Sequence, residues 1–167
     1  MNASRRDRER GTASPGRYGP KPTVRAAGLT VVGDRVLLVR QNRSGIHYWL
    51  LPGGGVDFGE SLAEALAREY REELALQVAP GEPVALVEAI SDDMERYAKH
   101  VLHVVLMAPL PEDAPQPRLG GDPRVLEARF FDADELASLS IAPPITDFLL
   151  DALAAQPSAV TYLGVRW

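Results

Sequence analysis

The chain opens its apolar pattern as strands and changes period once, sharply, a third of the way along. From Val24 to Val32 and from Arg35 to Gln41 the residues are rich in Val, Leu and Ala. Gly33-Asp34 between them is a hairpin turn pair, so two antiparallel strands are expected. Asn42 to Tyr48 is more polar and reads as a loop. Trp49 to Leu51 reads as a short strand that runs into Pro52-Gly53-Gly54-Gly55, which cannot be helical. Then the spacing lengthens. At about 100° per residue, Leu62, Ala65 and Leu66 share one face, as an amphipathic helix requires. The helix is expected from Ser61 to about Leu76, with the Ser61 hydroxyl as cap and Glu60 as an early acid.

Strand character returns from Pro83 to Ile90 and from His100 to Ala108, an expected antiparallel pair joined by a charged turn from Ser91 to Tyr97. Pro109 to Pro123 is rich in Pro, Gly and Asp and is expected as a long loop, either closing over a ligand or running plainly over the surface. Glu127 to Phe131 is strand-like, Ala133 to Leu139 a short helix begun by Asp132, and a last helix starts at Pro143 or Pro144 and ends near Ala155. Val160 to Trp167 is either a final strand or an extended tail. Local hairpins interleaved with helices predict an α/β fold with a mixed sheet. Residues 1–22 hold Arg, Ser, Gly and Pro and few large apolar side chains, so they read as a disordered basic tail ahead of one domain over 23–167.

Bulk numbers narrow the classes. A chain of 167 residues is one domain by default. Lys and Arg total 18 against 23 Asp and Glu, a net charge of −5, which argues against broad nucleic-acid binding. There is no cysteine, so disulfides and thiolate nucleophiles are excluded, and a reducing cytoplasm suits the chain. No apolar run is long enough to span a bilayer, and the N-terminus lacks the apolar stretch of a signal peptide.

The chemistry sits on the long helix. Glu69 and Glu73 continue the apolar face of Leu62, Ala65 and Leu66, where an ordinary solvated helix would not put acids. Carboxylates aimed inward cost several kcal/mol unless a positive charge meets them. A divalent cation is the natural partner, and Mg²⁺, which prefers oxygen ligands and substrate phosphates, fits best, with Mn²⁺ as the other candidate. Glu69, Glu72 and Glu73 lie three and four residues apart, so their carboxylates converge within one turn. A surface helix laced with salt pairs accounts for Glu64, Arg68 and Glu72, but not for Glu69 and Glu73 on the apolar stripe.

Residues 54–76, GGVDFGESLAEALAREYREELAL, resemble the signature of the Nudix hydrolases. That signature is a Gly, five residues, a Glu, seven residues, then Arg-Glu-U-x-Glu-Glu-x-Gly-U with U apolar. Gly54, Glu60, Arg68, Glu69, Glu72, Glu73 and Leu76 fill their places. Tyr70 stands where an aliphatic residue is usual. Ala75 stands where the family has a glycine that ends the helix in a left-handed conformation, so the end of the helix is expected to shift by a residue or two. The resemblance implies a Nudix-type α/β/α sandwich and a metal-dependent pyrophosphohydrolase acting on a small nucleotide or nucleotide derivative. It assigns Glu72 and Glu73 as principal metal ligands, Glu69 as a ligand that also orients or activates water, and a carbonyl of Gly53 or Gly54 as a further ligand. Arg68 either holds Glu60 or Glu69 or touches phosphate, and the family favours the holding role, which leaves Glu60 structural. It also implies a further acid from outside the signature, for which Asp92, Asp93, Glu95, Asp122 and Glu127 are all open, and a homodimer.

Arg40, Arg43 and Tyr48 precede the glycines. They are candidate substrate contacts, guanidinium to phosphate and ring to base, against the plainer reading of surface arginines and a packed aromatic. Trp49 is expected to pack under the loop. His100 and His103, three apart in a strand, fall on opposite faces and share no site. A nucleotide sensor that binds without cutting and an RNA 5′-end hydrolase guided by the basic tail are the competing functions. Nothing outside the signature selects the leaving group.

Overall fold

The structure, a computed structural model, describes residues 21–43, 45–90, 100–111 and 113–166. The expected tail up to residue 20, the turn from Ser91 to Tyr97 and Trp167 lie outside these residues. The elements are strands β1 (Thr23–Leu29), β2 (Val31–Val32), β3 (Arg35–Arg43), β4 (Ile46–Leu50) and β5 (Gly53–Gly55), helix α1 (Leu62–Leu74), strands β6 (Pro83–Ile90), β7 (His100–Met107) and β8 (Val125–Phe131), helices α2 (Ala133–Leu136) and α3 (Thr146–Ala154), and strand β9 (Thr161–Arg166).

Two sheets share the work. One runs β5-β1-β7-β6-β9 and is mixed: β1 pairs parallel with β7 and antiparallel with β5, and β6 pairs antiparallel with β7 and parallel with β9. In the other, β3 pairs antiparallel with β2, β4 and β8. Helix α1 lies over one core, with Ala26, Leu37, Val39, Val104 and Leu106 beneath Ala65, Leu66, Tyr70 and Leu74. Helices α2 and α3 close a second core, where Leu136, Phe148, Leu149 and Ala152 meet Ala27, Leu29, Val36, Leu38 and Val105. Odd and even strand residues feed the two cores alternately, as the strand period demands. The result is an α/β/α sandwich. No helix among the described residues is long and apolar enough to cross a membrane.

Several boundaries differ from expectation, each for a local reason. The first strand breaks at Thr30, whose buried hydroxyl donates to the Ala108 carbonyl at 2.6 Å; β1 serves one sheet and β2 the other. The loop expected over Asn42 to Tyr48 is mostly strand. Asn42 pairs with His47 and Arg43 with Ile46, and Gly45 N–H donates to Asn42 Oδ1 at 2.9 Å to close a tight turn. The glycines after Pro52 form β5, with Gly53 opposite Ala27 and Gly54 opposite Ala26. Helix α2 stops early because its chain tightens into shorter-range bonds, Ser138 N–H to Glu135 and Leu139 N–H to Leu136. Helix α3 starts at Thr146, after the proline pair; a proline disfavours helical backbone in the residue before it.

Helix α1 begins as expected. Ser61 accepts from Glu64 N–H, and the Glu64 carboxylate accepts from Ser61 N–H at 2.8 Å, a reciprocal capping box. Its end does not shift. Ala75 itself takes the left-handed conformation, φ 53 and ψ 31, and Leu76 N–H reaches back to the Tyr70 carbonyl at 3.1 Å. Buried Leu76 anchors the turn. Past it, the loop after β7 docks on the same helix end: Arg118 N–H donates to the Leu74 carbonyl and Gly120 N–H to the Glu73 carbonyl, both at 2.9 Å. The long proline-rich loop is thus tied to the helix that carries the acids.

Candidate functional site

The acids of α1 meet strand β5. Glu73 is 1% exposed and Glu69 7%, the only buried acids among the described residues. Gly53 N–H donates to Glu73 Oε2 at 3.0 Å, and Gln41 Nε2 from β3 reaches Glu73 Oε1 at 3.4 Å. Gly53 is required there twice over. Its φ is +136, and a Cβ would stand 2.1 Å from the Ala26 carbonyl oxygen. Gly54 is required for space: a Cβ would stand 2.0 Å from Glu69 Oε1. The glycine pair therefore lets the backbone lie directly against two carboxylates.

Arg68 ties the rest together. Nε and Nη2 donate to the two oxygens of Glu60, each at 2.9 Å, Nη1 donates to Glu69 Oε1 at 2.7 Å and reaches Glu72 Oε2 at 3.4 Å, and Nη2 also meets the Gly55 carbonyl at 2.9 Å. Bonds to Glu60 first, then to Glu69, hold the guanidinium well above its ordinary range. The same bond holds Glu60 below the usual carboxylate value. All the donors of Arg68 are spent on protein oxygens, so the geometry fits the holding role and leaves nothing for phosphate.

Glu73 is the strained group electrostatically. Burial pushes its carboxyl up to about 7; Glu69 and Asp122 add to this, while Arg25 and Gly53 N–H oppose it. Arg25 lies beneath the Leu51 segment, its Nη2 donating to the Leu51 carbonyl at 3.3 Å and its buried Nε without a partner. Burial pulls this guanidinium below its ordinary value, and Glu73 and Glu69 pull it back. With His103, Leu50 and Pro143 it lines a narrow cavity with room for about one water molecule, on the far side of the sheet from α1.

The other expected residues divide. Glu72, with its side chain 58% exposed, is at the solvent edge of the acid group. Tyr48 pairs across from Gln41 and packs on the α1 side. Arg40 points to the opposite face, paired with Glu127 at 3.0 Å and lying over the Trp49 ring at 5.9 Å. So Arg40 and Tyr48 do not share a site, and Glu127 is occupied away from the acids. Arg43 is in β3 opposite Ile46; its side chain lies outside the description, as do Asp92, Asp93 and Glu95. Trp49 packs edge-on against Phe131, centroids 4.5 Å apart, as a core residue does. His100 bonds Glu88 at 3.2 Å on one sheet face while His103 faces the Arg25 cavity on the other. The residues that sequence reasoning missed are Gln41, Arg25 and Arg124. Gln41 and Arg25 sit in strands at positions that carry no motif, and Arg124 follows Asp122-Pro123 in the loop.

The donor set suits a hard cation. Two buried carboxylates, a third at the rim and glycine backbone in contact with them are oxygen ligands of the kind Mg²⁺ or Mn²⁺ takes. As placed, no three acidic or histidine side chains among the described residues stand close enough to share one ion. Arg68 occupies the space between Glu69 and Glu72 and supplies the positive charge there.

Comparison with known proteins identifies the family and the fold. The family model described as NUDIX domain matches residues 20–151. The chain is 32% identical over 130 residues to a Mycobacterium tuberculosis protein whose proposed name is 8-oxo-dGTP diphosphatase 2, covering 75% of this chain and 84% of that one. It is 25% identical over 132 residues to the Uncharacterized Nudix hydrolase YvcI of Bacillus subtilis, covering 77% and 80%. Among solved structures, the MutT NUDIX hydrolase from Burkholderia pseudomallei superposes with a TM-score of 0.65 at 25% identity, covering 79% of this chain and 98% of that one. A NUDIX hydrolase from Nitrosomonas europaea superposes at 0.69 with 21% identity, covering 83% and 93%, which speaks to the fold. The chain belongs to the Nudix hydrolases, the pyrophosphohydrolase family to which the acids of residues 54–76 pointed.

Proposed function

We propose that the protein is a divalent-metal-dependent hydrolase that cleaves the phosphoanhydride bond of a nucleoside triphosphate, or of a nucleoside diphosphate linked to another group. The observation that carries this reading is the burial of Glu69 and Glu73 against Gly53 and Gly54. Glu69, Glu72, Glu73 and the Gly54 carbonyl would hold Mg²⁺ or Mn²⁺. When bound, the ion neutralises phosphate oxygens and lowers the pKa of water.

The chain's own residues do the positioning. Glu60 fixes Arg68, Arg68 fixes one oxygen of Glu69, and Gly53 N–H fixes Glu73. The second oxygen of Glu69 orients the attacking water and takes its proton. The water oxygen bonds to phosphorus, the bridging P–O bond breaks, and the electron pair leaves with the departing phosphate. The named relatives include an RNA pyrophosphohydrolase of Ruthia magnifica, 41% identical over 49 residues but covering 29% of this chain. That relative and the M. tuberculosis protein support a nucleotide phosphoanhydride as the substrate. The complete acid set argues for an enzyme over a silent sensor. A reducing cytoplasm suits the cysteine-free chain, and a homodimer is the assembly expected of the family, to be checked by sedimentation.

The test is a panel of nucleoside triphosphates, nucleotide sugars, ADP-ribose and dinucleoside polyphosphates with and without Mg²⁺ or Mn²⁺. Glu72→Gln and Glu73→Gln should each lower turnover by orders of magnitude in a folded protein. Near-full activity in both would show that these carboxylates hold no essential ion.

A further inference from the structure

The acid group of α1 faces a loop that sequence patterns left unexplained. That loop is bonded to the end of α1 through Arg118 N–H and Gly120 N–H. The fit is close: a Cβ on Gly120 would lie 2.0 Å from the Glu72 carbonyl oxygen. Two residues further on, Asp122 grips Arg124 side-on, with Nη2 to Oδ2 at 2.6 Å, Nε to Oδ1 at 3.0 Å, and the Arg124 backbone N–H also on Oδ1 at 2.9 Å. The bond to Asp122 first, and then the charges of Glu69 and Glu73, raise the Arg124 guanidinium, and the charge of Asp122 helps to raise Glu73, so the docked loop puts the pair within electrostatic range of the acids.

We infer that Arg124 is a phosphate-binding residue, held ready by Asp122 and the docked loop, that takes the diphosphate of the substrate as it meets the acids of α1. This assignment rests on the hydrolase reading above. It is supported by how the guanidinium donors of Arg68, Arg40, Arg25 and Arg124 are spent. Arg68 has given all of its donors to Glu60, Glu69, Glu72 and Gly55. Arg40 is paired with Glu127 on the other sheet face, and Arg25 is beneath Leu51. Arg124 uses only its Nε and one side of Nη2 on Asp122, and its side chain is 73% exposed. Its Nη1 edge is free to donate, and a guanidinium edge matches two phosphate oxygens. The grip of Asp122 fixes the fork before the substrate arrives, which lowers the entropy lost on binding.

The probe is imidodiphosphate with Mg²⁺, a diphosphate that carries nitrogen in place of the bridging oxygen, titrated by calorimetry into the full chain. Arg124→Ala should weaken its binding by about tenfold or more, the scale of a charged hydrogen-bonded contact, and should raise KM more than it lowers kcat on whichever panel nucleotide is hydrolysed. Arg124→Lys should recover part of the loss, since it restores charge without the fork. Asp122→Asn should give an intermediate loss. Mn²⁺ uptake, measured without any phosphate present, should stay within twofold of wild type in all three. Imidodiphosphate affinity and KM unchanged in Arg124→Ala would overturn the assignment while leaving the hydrolase reading intact. So would a loss of Mn²⁺ affinity as large as the loss of imidodiphosphate affinity, because the variant would then be disturbing the acids. A wild-type protein that binds imidodiphosphate through Arg124 but hydrolyses no panel member would refute the hydrolase reading and leave the arginine contact standing.

Discussion

The Tyr70 hydroxyl on α1 lies 2.8 Å from Thr30 Oγ1, at the point where the first strand leaves one sheet for the other. Tyr70 also donates to the Gly28 carbonyl at 3.1 Å, and Thr30 donates onward to Ala108. Both side chains are fully buried. An aromatic ring fits where the family uses an aliphatic one because its polar end has partners. Tyr70→Phe removes that end and leaves the Gly28 carbonyl without the phenolic donor. A loss of about 1–2 kcal/mol is expected in urea unfolding, with turnover per folded molecule nearly unchanged. Unaltered stability would mean that the hydroxyl is idle.

Ala75 carries a conformation made for glycine. Its φ of 53 places it in the left-handed region, at a cost for an L residue of about 1 kcal/mol or somewhat more. Ala75→Gly should therefore raise stability by about 0.5–1 kcal/mol, after allowance for the freer unfolded chain. A rise in midpoint temperature in calorimetry checks this; a fall would show that the alanine methyl packs more usefully than its exposure indicates.

Gly54→Ala is expected to separate folding from chemistry. The added methyl would sit 2.0 Å from Glu69 Oε1, so the carboxylate must turn away from β5. Gly54 itself does not have a left-handed backbone, so the strand tolerates alanine. Hydrolysis should fall by at least about 100-fold, as displacement of a positioned catalytic group does, while the far-ultraviolet spectrum stays native. Arg68→Lys should act in the same direction, because an ammonium group cannot bridge Glu60 and Glu69 as the fork does.

Two buried groups oppose each other in the pH dependence of stability. Burial raises the Glu73 carboxyl from 4.5 to about 7. Between those values the folded chain holds a proton that the unfolded chain has released, so this group's contribution falls as pH rises and stays lost above about 7. Burial, helped by Arg25, lowers the His103 imidazole from 6.5 to about 4. Its contribution is full above 6.5 and is lost as pH falls toward 4. The two slopes oppose each other between about 4.5 and 6.5, where stability in EDTA should be nearly flat. Glu73→Gln should remove the alkaline loss, a gain at pH 8 relative to pH 5 on the order of 3 kcal/mol. Mg²⁺ should produce a similar gain in wild type and none in the variant. Identical pH slopes for variant and wild type would refute the buried, cation-hungry carboxylate.

How legible the site was varies by residue. Ser61, Glu69, Glu72 and Glu73 were readable because a helix repeats every few residues, and their relative placement needs nothing beyond the helix; Glu64, read only as a salt-pair acid for Arg68, instead closes the cap with Ser61. The Gly33-Asp34 hairpin and strands β6 and β7 were readable because turn residues and strand-forming runs are equally local signals. Arg40 and Tyr48 were not. They stand within one hairpin, but the strand alternation sends them to opposite faces, and only the register of β3 with β4 and β8 shows which face holds the acids.

The amino-acid order by itself determined the local spacing: acids on the apolar stripe of one helix, a glycine strand ahead of it, and a charge balance that leaves the positive side short. Tertiary structure alone decided which cations remain available. It spent Arg68 on Glu60 and Glu69, turned Arg40 to Glu127, put Arg25 beneath Leu51, and brought the loop with Asp122 and Arg124 onto the end of α1. The reason is one of range. A helical turn is set by neighbours a few residues away, whereas the partner of a guanidinium is set by which distant segments pack against each other, and side-chain type does not carry that information.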